Sequence, residues 1–213
     1  MKTPTSYPTL LEMFYRFEKE KASQVFLSEP IAGKPMAHTW EEAGFSIRKM
    51  AGALSDLNLP AGSRIAIIGK NSAHWIMADL AITMAGHVSV PIYPTVTAAT
   101  LRQILTHSES QVLFVGKLDA FEPLQSGIPS NVRSIHVPHW AWSGCEHWNT
   151  FIENADAILT DTIPDPQTLS CILYTSGTTG DPKGVMHTHF AHSFSLLTVM
   201  EALGEDLKNE VFF

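Results

Sequence analysis

Short apolar runs alternate with amphipathic stretches along most of the chain. The runs are Arg64–Gly69 (RIAIIG), Val88–Ile92 (VSVPI), Gln111–Gly116 (QVLFVG), Ser134–Val137 (SIHV) and Leu169–Thr175 (LSCILYT). Each is short and apolar on consecutive positions, which predicts strands covered on both faces. Trp40, Ala43, Ile47, Met50, Leu54 and Leu57 follow at spacings of 3, 4, 3, 4 and 3, a single helical stripe. Thr39 with Glu42 has the form of a capping box at its start, and Asn58 with Pro60-Ala61-Gly62 ends it. A second helix is expected over about 72–85, capped by Asn71 or Ser72 and stopped at Gly86. A third should cover about 98–108, with Leu101, Ile104 and Leu105 turned inward. Strand and helix in alternation predict an α/β fold, a mostly parallel β-sheet flanked by helices.

Other stretches read less regularly. Gly127, Pro129, Pro138 and Gly144 break up residues Gln125–Asn149, which are expected to form a loop-rich excursion. Asp161–Gln167 (DTIPDPQ) reads as a connection into the last apolar run. Asp79 interrupts an apolar helix pattern and is expected on its exposed face. Phe14, Tyr15 and Phe17 are expected in the core, with contact to a membrane surface the alternative.

The 213 residues are 45% hydrophobic and 16% charged, the balance of a folded chain of one domain or two small ones. A net charge of −7 argues against a general nucleic-acid partner, which needs a basic face. The first residues lack the apolar core of a secretory signal, and WIMADLAITMAG is too short to span a bilayer. Two cysteines without a C-x-x-C pattern fit a reduced, cytoplasmic setting.

The densest chemistry follows the last apolar run. Thr175-Ser176-Gly177-Thr178-Thr179-Gly180-Asp181-Pro182-Lys183-Gly184 carries three glycines, four hydroxyls and a lysine in ten positions. Glycines let backbone N–H groups approach an anion, hydroxyls donate further bonds, and Lys183 adds a mobile positive charge. The composition is that of a polyphosphate cradle; a Ser/Thr/Gly-rich surface turn is the competing reading. Neither G-x-x-x-x-G-K-[ST] nor G-x-G-x-x-G fits the segment.

YTSGTTGDPKGV resembles the signature loop of the adenylate-forming (AMP-binding) superfamily, which holds acyl-CoA synthetases, luciferases of the firefly type and peptide-synthetase adenylation domains. HTWEEAGFSIRKMAGAL resembles an early helix of that family, and LPAGSRIAIIGKNSAHWIMADLAITMAGHVSVPIYPT its first βαβ unit. The likeness runs from about Pro8 to Phe213, and AGHVSVPIYPT is most similar to the long-chain fatty acyl-CoA synthetases. The resemblance implies ATP and coenzyme A as co-substrates, a fatty acid as acyl donor, and Mg²⁺ with the nucleotide. It assigns phosphate binding to Thr175, Ser176, Gly177, Thr178, Thr179, Gly180 and Lys183, with Thr188 and His189 as supports behind them. Aryl, short-chain or amino acids are alternative substrates, and a non-catalytic nucleotide-binding relative is a further alternative.

In that family most adenine, ribose, magnesium and acyl contacts, and a small C-terminal domain with a catalytic lysine, lie beyond the point reached at Phe213. Residues 1–213 are therefore expected to be the N-terminal part of the large adenylation domain, with Asn209–Phe213 opening a further strand. No catalytic residue is expected within them, the isolated chain should not turn over, and its uncovered edges should favour self-association. Peripheral membrane contact of the parent protein stays open as an expectation.

Two histidine groups stand apart. His136, His139, Cys145 and His147, interleaved with Trp140, Trp142 and Trp148, contain four candidate zinc ligands. Their spacing matches no standard pattern, so hydrogen-bonded histidines among stacked aromatics are the expected role. His187, His189 and His192 follow the loop; a metal pair from the last two is the alternative to lining a helix start.

Overall fold

The computed structural model describes residues 7–176 and 182–202. Helix α1 (Leu10–Glu20) leads into a hairpin of β1 (Val25–Ile31) and β2 (Lys34–Thr39), then α2 (Trp40–Ser55), β3 (Arg64–Ile68), α3 (Ala73–Met84), β4 (Val88–Ile92), α4 (Ala98–His107) and β5 (Val112–Val115). There follow α5 (Glu122–Gln125), β6 (Arg133–His136), β7 (Glu146–His147), α6 (Trp148–Ile152), β8 (Leu169–Ser176), β9 (Pro182–Thr188) and α7 (His189–Ala202).

All five apolar runs become strands of one sheet, ordered β7-β6-β5-β3-β4-β8-β9. Every neighbouring pair is parallel except β8 and β9, which are antiparallel. Successive strand residues point to opposite faces, and the two cores divide accordingly. Ile65, Ile67, Val112 and Phe114 enter the core beneath α2 and α3, with Ile47, Met50, Met77 and Ile82. Ala66, Ile68, Leu113 and Val115 enter the other, with Leu101, Ile104 and Leu105 of α4. Burial on both faces is the reason these strands read as unbroken apolar runs.

The helix ends follow their local chemistry. Thr39 Oγ1 accepts from Glu42 N at 3.2 Å, and Glu42 Oε2 accepts from Thr39 N at 2.9 Å. Ser72 caps α3 by accepting from Trp75 N, and Gly86 stops that helix with φ +76°, where a side chain would be strained. Helix α1 and the β1–β2 hairpin are not visible in the apolar pattern, although Thr9 and Glu12 form a second capping box. Phe14 and Tyr15 are buried in the core, and Phe17 packs on Trp40 with ring centroids 5.5 Å apart. The irregular stretch after α5 contributes a strand, β6, and a buried Trp148.

The segment Asp161–Gln167 does more than connect. Arg48 of α2 is 9% exposed and donates to Glu18 Oε1 at 3.0 Å, Glu18 Oε2 at 2.6 Å, Asp161 Oδ1 at 2.7 Å and the Ile158 carbonyl at 2.9 Å. Its guanidinium also lies 5.2 Å from the centroid of Tyr15. Burial works against the Asp161 carboxylate, yet bonds from Lys19 and Arg48 outweigh it and hold the group below its ordinary value. The network ties α1, α2 and the strand-bound connection together.

Removing Arg48 leaves two partly buried carboxylates facing each other. Arg48→Ala is expected to destabilise the fold by about 3 kcal/mol, read as a lowered midpoint of urea unfolding at neutral pH. Because the Asp161 value is depressed in the folded state, the wild-type advantage is present above about pH 4 and is lost as pH falls through the depressed value. Equal midpoints for the two proteins at pH 7 would contradict this account.

Candidate phosphate-binding site

Strand β3 has β4 on one side and β5 on the other, so the chain reverses its direction of travel across the sheet at β3. Open α/β sheets bind ligands outside the carboxyl ends of the strands at such a reversal. A cavity of about 380 Å³ lies there, bounded by Gly69, Lys70 and Asn71 after β3, Tyr93 and Pro94 after β4, and Leu173 of β8. A smaller one of about 220 Å³ shares Ile92 and Tyr93 and reaches Tyr174, Thr175 and Pro182. The crevice therefore extends to the root of the candidate phosphate segment.

That segment joins two antiparallel strands. Thr175 pairs with Lys183 and Ser176 with Pro182, so the strand ends converge on residues 177–181. Gly177, Thr178, Thr179, Gly180 and Asp181 lie outside the described residues. Thr175 and Lys183 are exposed and directly opposed, which sets hydroxyl and ammonium on one face of the hairpin. Strand β9 is absent from the apolar pattern because its partner on one side is β8 alone and its side chains are half-exposed.

Gly184 has a role other than turning the chain. It stands opposite Tyr174, and a Cβ there would come 2.8 Å from Ile172 Cγ2 and 3.3 Å from Tyr174 Cζ. The Tyr174 ring thus occupies the space over Gly184. Burial pushes the Tyr174 phenol above its ordinary value, with Ser108 and Arg64 opposing, so it is a neutral hydroxyl at physiological pH. It meets His107 Nδ1 at 2.6 Å.

Thr188 and His189 are not brought to Lys183. Thr188 pairs with Leu169 at the far end of the hairpin, roughly 17 Å from Lys183 by strand rise. There Thr188 Oγ1 accepts from Ala191 N at 3.1 Å and starts α7. His189 is buried, its imidazole held below its ordinary value by desolvation and by His192 against the pull of Asp165, and its backbone N–H donates to the Thr168 carbonyl at 3.1 Å.

The other histidines disperse. His136 and His147 stack edge to face at 4.7 Å, while His147 Nδ1 accepts from Asn149 N at 3.0 Å and starts α6. His139 faces His74 at 6.1 Å, and Cys145 packs on the opposite core, its thiol pushed up to about 11 by burial. His187 lies on β9, opposite Cys171, and not on the helix with His189 and His192. Among the described residues, no group of three or more His, Cys, Asp or Glu side chains could hold a metal ion.

Asp79 does not take the exposed face that its helix pattern suggested. It lines an apolar cavity of about 710 Å³ together with Phe14, Phe17, Trp40 and His192. Desolvation is the largest influence and raises its carboxyl above the ordinary value, while Ser89 and His192 oppose that rise. His192 is pushed down by the same desolvation, and neither its Nδ1 nor Ser89 Oγ has a hydrogen bond of ordinary geometry. The sequence pattern missed this because α7, which supplies His192, packs on α1 and the sheet from far along the chain.

Two measurements probe these packings. Gly184→Ala is expected to displace the Tyr174 ring and cost about 1–3 kcal/mol, read as a lower melting temperature. Asp79 holds its proton in the folded state above the unfolded value, so stability should fall as pH rises from about 4 through the raised value. Asp79→Asn should flatten that decline in urea unfolding between pH 4 and 8. An unchanged slope would show the carboxyl to be solvated.

Comparisons with known proteins identify the family. The Mycobacterium bovis long-chain-fatty-acid–CoA ligase FadD15 is 31% identical over 196 residues, covering 87% of this chain and 32% of that protein. The 3-methylmercaptopropionyl-CoA ligase of Ruegeria pomeroyi is 28% identical over 185 residues, covering 82% of this chain and 33% of that protein. The chain thus spans about a third of the length of these curated relatives. The anthranilate CoA ligase AuaEII, solved with anthranoyl-AMP, superimposes with a TM-score of 0.74 at 20% identity, over 89% of this chain and 37% of that one. Residues 15–212 match the family model of the AMP-binding enzymes, and the chain belongs to that family.

Proposed function

We propose that residues 1–213 form the N-terminal part of the adenylation domain of an ATP-dependent, AMP-forming acyl-CoA ligase, with a fatty acid as its carboxylic substrate. The observation that carries this reading is the hairpin. YTSGTTGDPKGV runs from β8 into β9 beside the crevice at the strand carboxyl ends, with Thr175 opposite Lys183. The fatty-acid assignment rests on AGHVSVPIYPT and on the name of the FadD15 relative.

In this reading a carboxylate oxygen attacks the α-phosphorus of ATP, the bond to the β-phosphate oxygen breaks, and diphosphate leaves. The acyl-adenylate then loses AMP to the thiol of coenzyme A. A carboxylate is a poor acyl donor, and the mixed anhydride supplies the leaving group it lacks. Thr175, Ser176, Gly177, Thr178, Thr179, Gly180 and Lys183 hold the β- and γ-phosphates, so their contribution is positioning and charge stabilisation. Mg²⁺ would accompany the nucleotide phosphates. Thr188 and His189 support the site only through the hairpin and α7, by fixing the distal ends of β8 and β9.

The remainder of the adenylation domain, the CoA thiol step and the acid pocket belong to chain beyond these residues in this proposal, and the 213-residue chain alone is expected to give no acyl-CoA. Exposed Val185 and Met186 on the edge strand β9, with Phe194, Leu196 and Val199 on α7, support its self-association. Among the described residues, no helix is long and apolar enough to cross a membrane.

In the longer protein carrying this sequence, ATP-dependent acyl-CoA formation should be strongest with long-chain acids in a panel that includes short-chain, aromatic and amino acids. A preference for an aromatic or amino acid would move the assignment to another branch. Lys183→Ala should slow acid-dependent diphosphate exchange by about tenfold to a thousandfold, roughly 1.4–4 kcal/mol of barrier. Exchange at the wild-type rate would remove Lys183 from the phosphate site.

A further inference from the structure

The root of the phosphate segment is held by a contact that its motif does not contain. Tyr174, the residue before Thr175, is 5% exposed, and its hydroxyl meets His107 Nδ1 at 2.6 Å with the two rings nearly perpendicular at 89°. The other face of the ring is fixed by the absence of a side chain at Gly184. Thus one aromatic ring is clamped between α4 and β9, directly below the point where the strands converge on residues 177–181. The same end of α4 approaches the second root. Thr106 and His107 border a cavity of about 760 Å³ whose far wall is Pro182.

The anchor itself is hydrogen-bonded into the fold. Ser108 Oγ donates to the Ile104 carbonyl at 2.7 Å and lies 2.7 Å from Ser110 Oγ, and Arg64 Nε donates to the Ser108 carbonyl at 2.6 Å. Arg64 is the first residue of β3, so the C-terminal end of α4 is tied to the central strand. His107 is exposed, and its ring meets the Tyr174 ring edge to face at 5.7 Å. The hydrogen bond is its distinguishing contact.

We propose that His107 is a positioning residue for the phosphate segment, acting through the Tyr174 hydroxyl to hold both strand roots in the spacing that receives the polyphosphate. This inference rests on the phosphate-binding reading of residues 175–183. A cradle built on two strands gains affinity when its donors are already in place, since each side chain or backbone left to order on binding subtracts from the free energy gained. Loss of the clamp should therefore weaken anion binding without unfolding the domain.

The test uses the longer protein carrying this sequence, inorganic tripolyphosphate and magnesium-ATP as separate probes, and backbone amide shifts as the readout. The wild type is expected to respond at residues 175–183 to both probes. His107→Ala and Tyr174→Phe should each weaken the response five- to thirtyfold, and the double variant should be no weaker than either single one. His107→Asn, whose side-chain oxygen can accept from the phenol in place of Nδ1, should recover most of the affinity. Urea midpoints of all variants serve to separate this from general destabilisation, which Asn would not selectively repair. Wild-type affinity in His107→Ala, or additive losses in the double variant, would overturn the positioning role while leaving the phosphate reading intact. No response of the wild-type segment to either probe would overturn the phosphate reading itself, and the positioning role with it.

Discussion

Two opposed cores meet across strands β3 and β5, and the geometry of the candidate site depends on that arrangement. Ile65 and Ile67 face α2 and α3, while Ala66 and Ile68 face α4. With both faces occupied, the strand cannot slip by one residue without exchanging the two sets, so its register with β4 and β5 is fixed. The crevice at the carboxyl ends follows from that register. It opens beyond the carboxyl ends of β3 and β4, and its walls include the first residues after those two strands.

The apolar pattern revealed the elements that are buried twice and hid those that are buried once. Strands β3, β4, β5, β6 and β8 and helices α2, α3 and α4 lie where the runs and stripes put them, and Thr39, Ser72 and Gly86 end their helices by local chemistry. Strands β1, β2 and β9 mix exposed positions with buried and half-buried ones and are too weakly apolar to separate from loop. The candidate phosphate segment is legible as chemistry because hydroxyls, glycines and a lysine crowd into a short stretch. Its support was not. His107 precedes Tyr174 by 67 residues, and nothing local marks a histidine at a helix end as the partner of a tyrosine so far along the chain. Asp79 was misjudged for the same reason: its surroundings are set by His192 and Ser89, which arrive from other elements.

Charge is buried here in two different ways. Arg48 meets two carboxylates, a carbonyl and a ring, so the cost of removing it from water is offset by bonds in fixed directions. Asp79 and His192 are desolvated with neither a direct ion pair nor full hydrogen bonding among the described contacts, and desolvation drives both toward their neutral forms. The first arrangement joins three segments into one unit. The second costs stability at a cavity whose other walls are largely apolar.

A phosphate segment carried on a β-hairpin works under a different constraint from one that opens a helix. Where a helix follows the loop, its first backbone N–H groups and dipole attract the anion. Here the segment is followed by strand β9, whose dipoles alternate and sum to little. In the proposed site, attraction would then come from the side chains and from amides held at a fixed spacing. That accounts for the crowding of hydroxyls and for a lysine placed opposite a threonine at the strand ends. It also gives the clamp on Tyr174 its value: without a helix to organise the donors, their geometry is only as good as the anchoring of the two roots, and that anchoring reaches the central strand through His107, the end of α4 and Arg64.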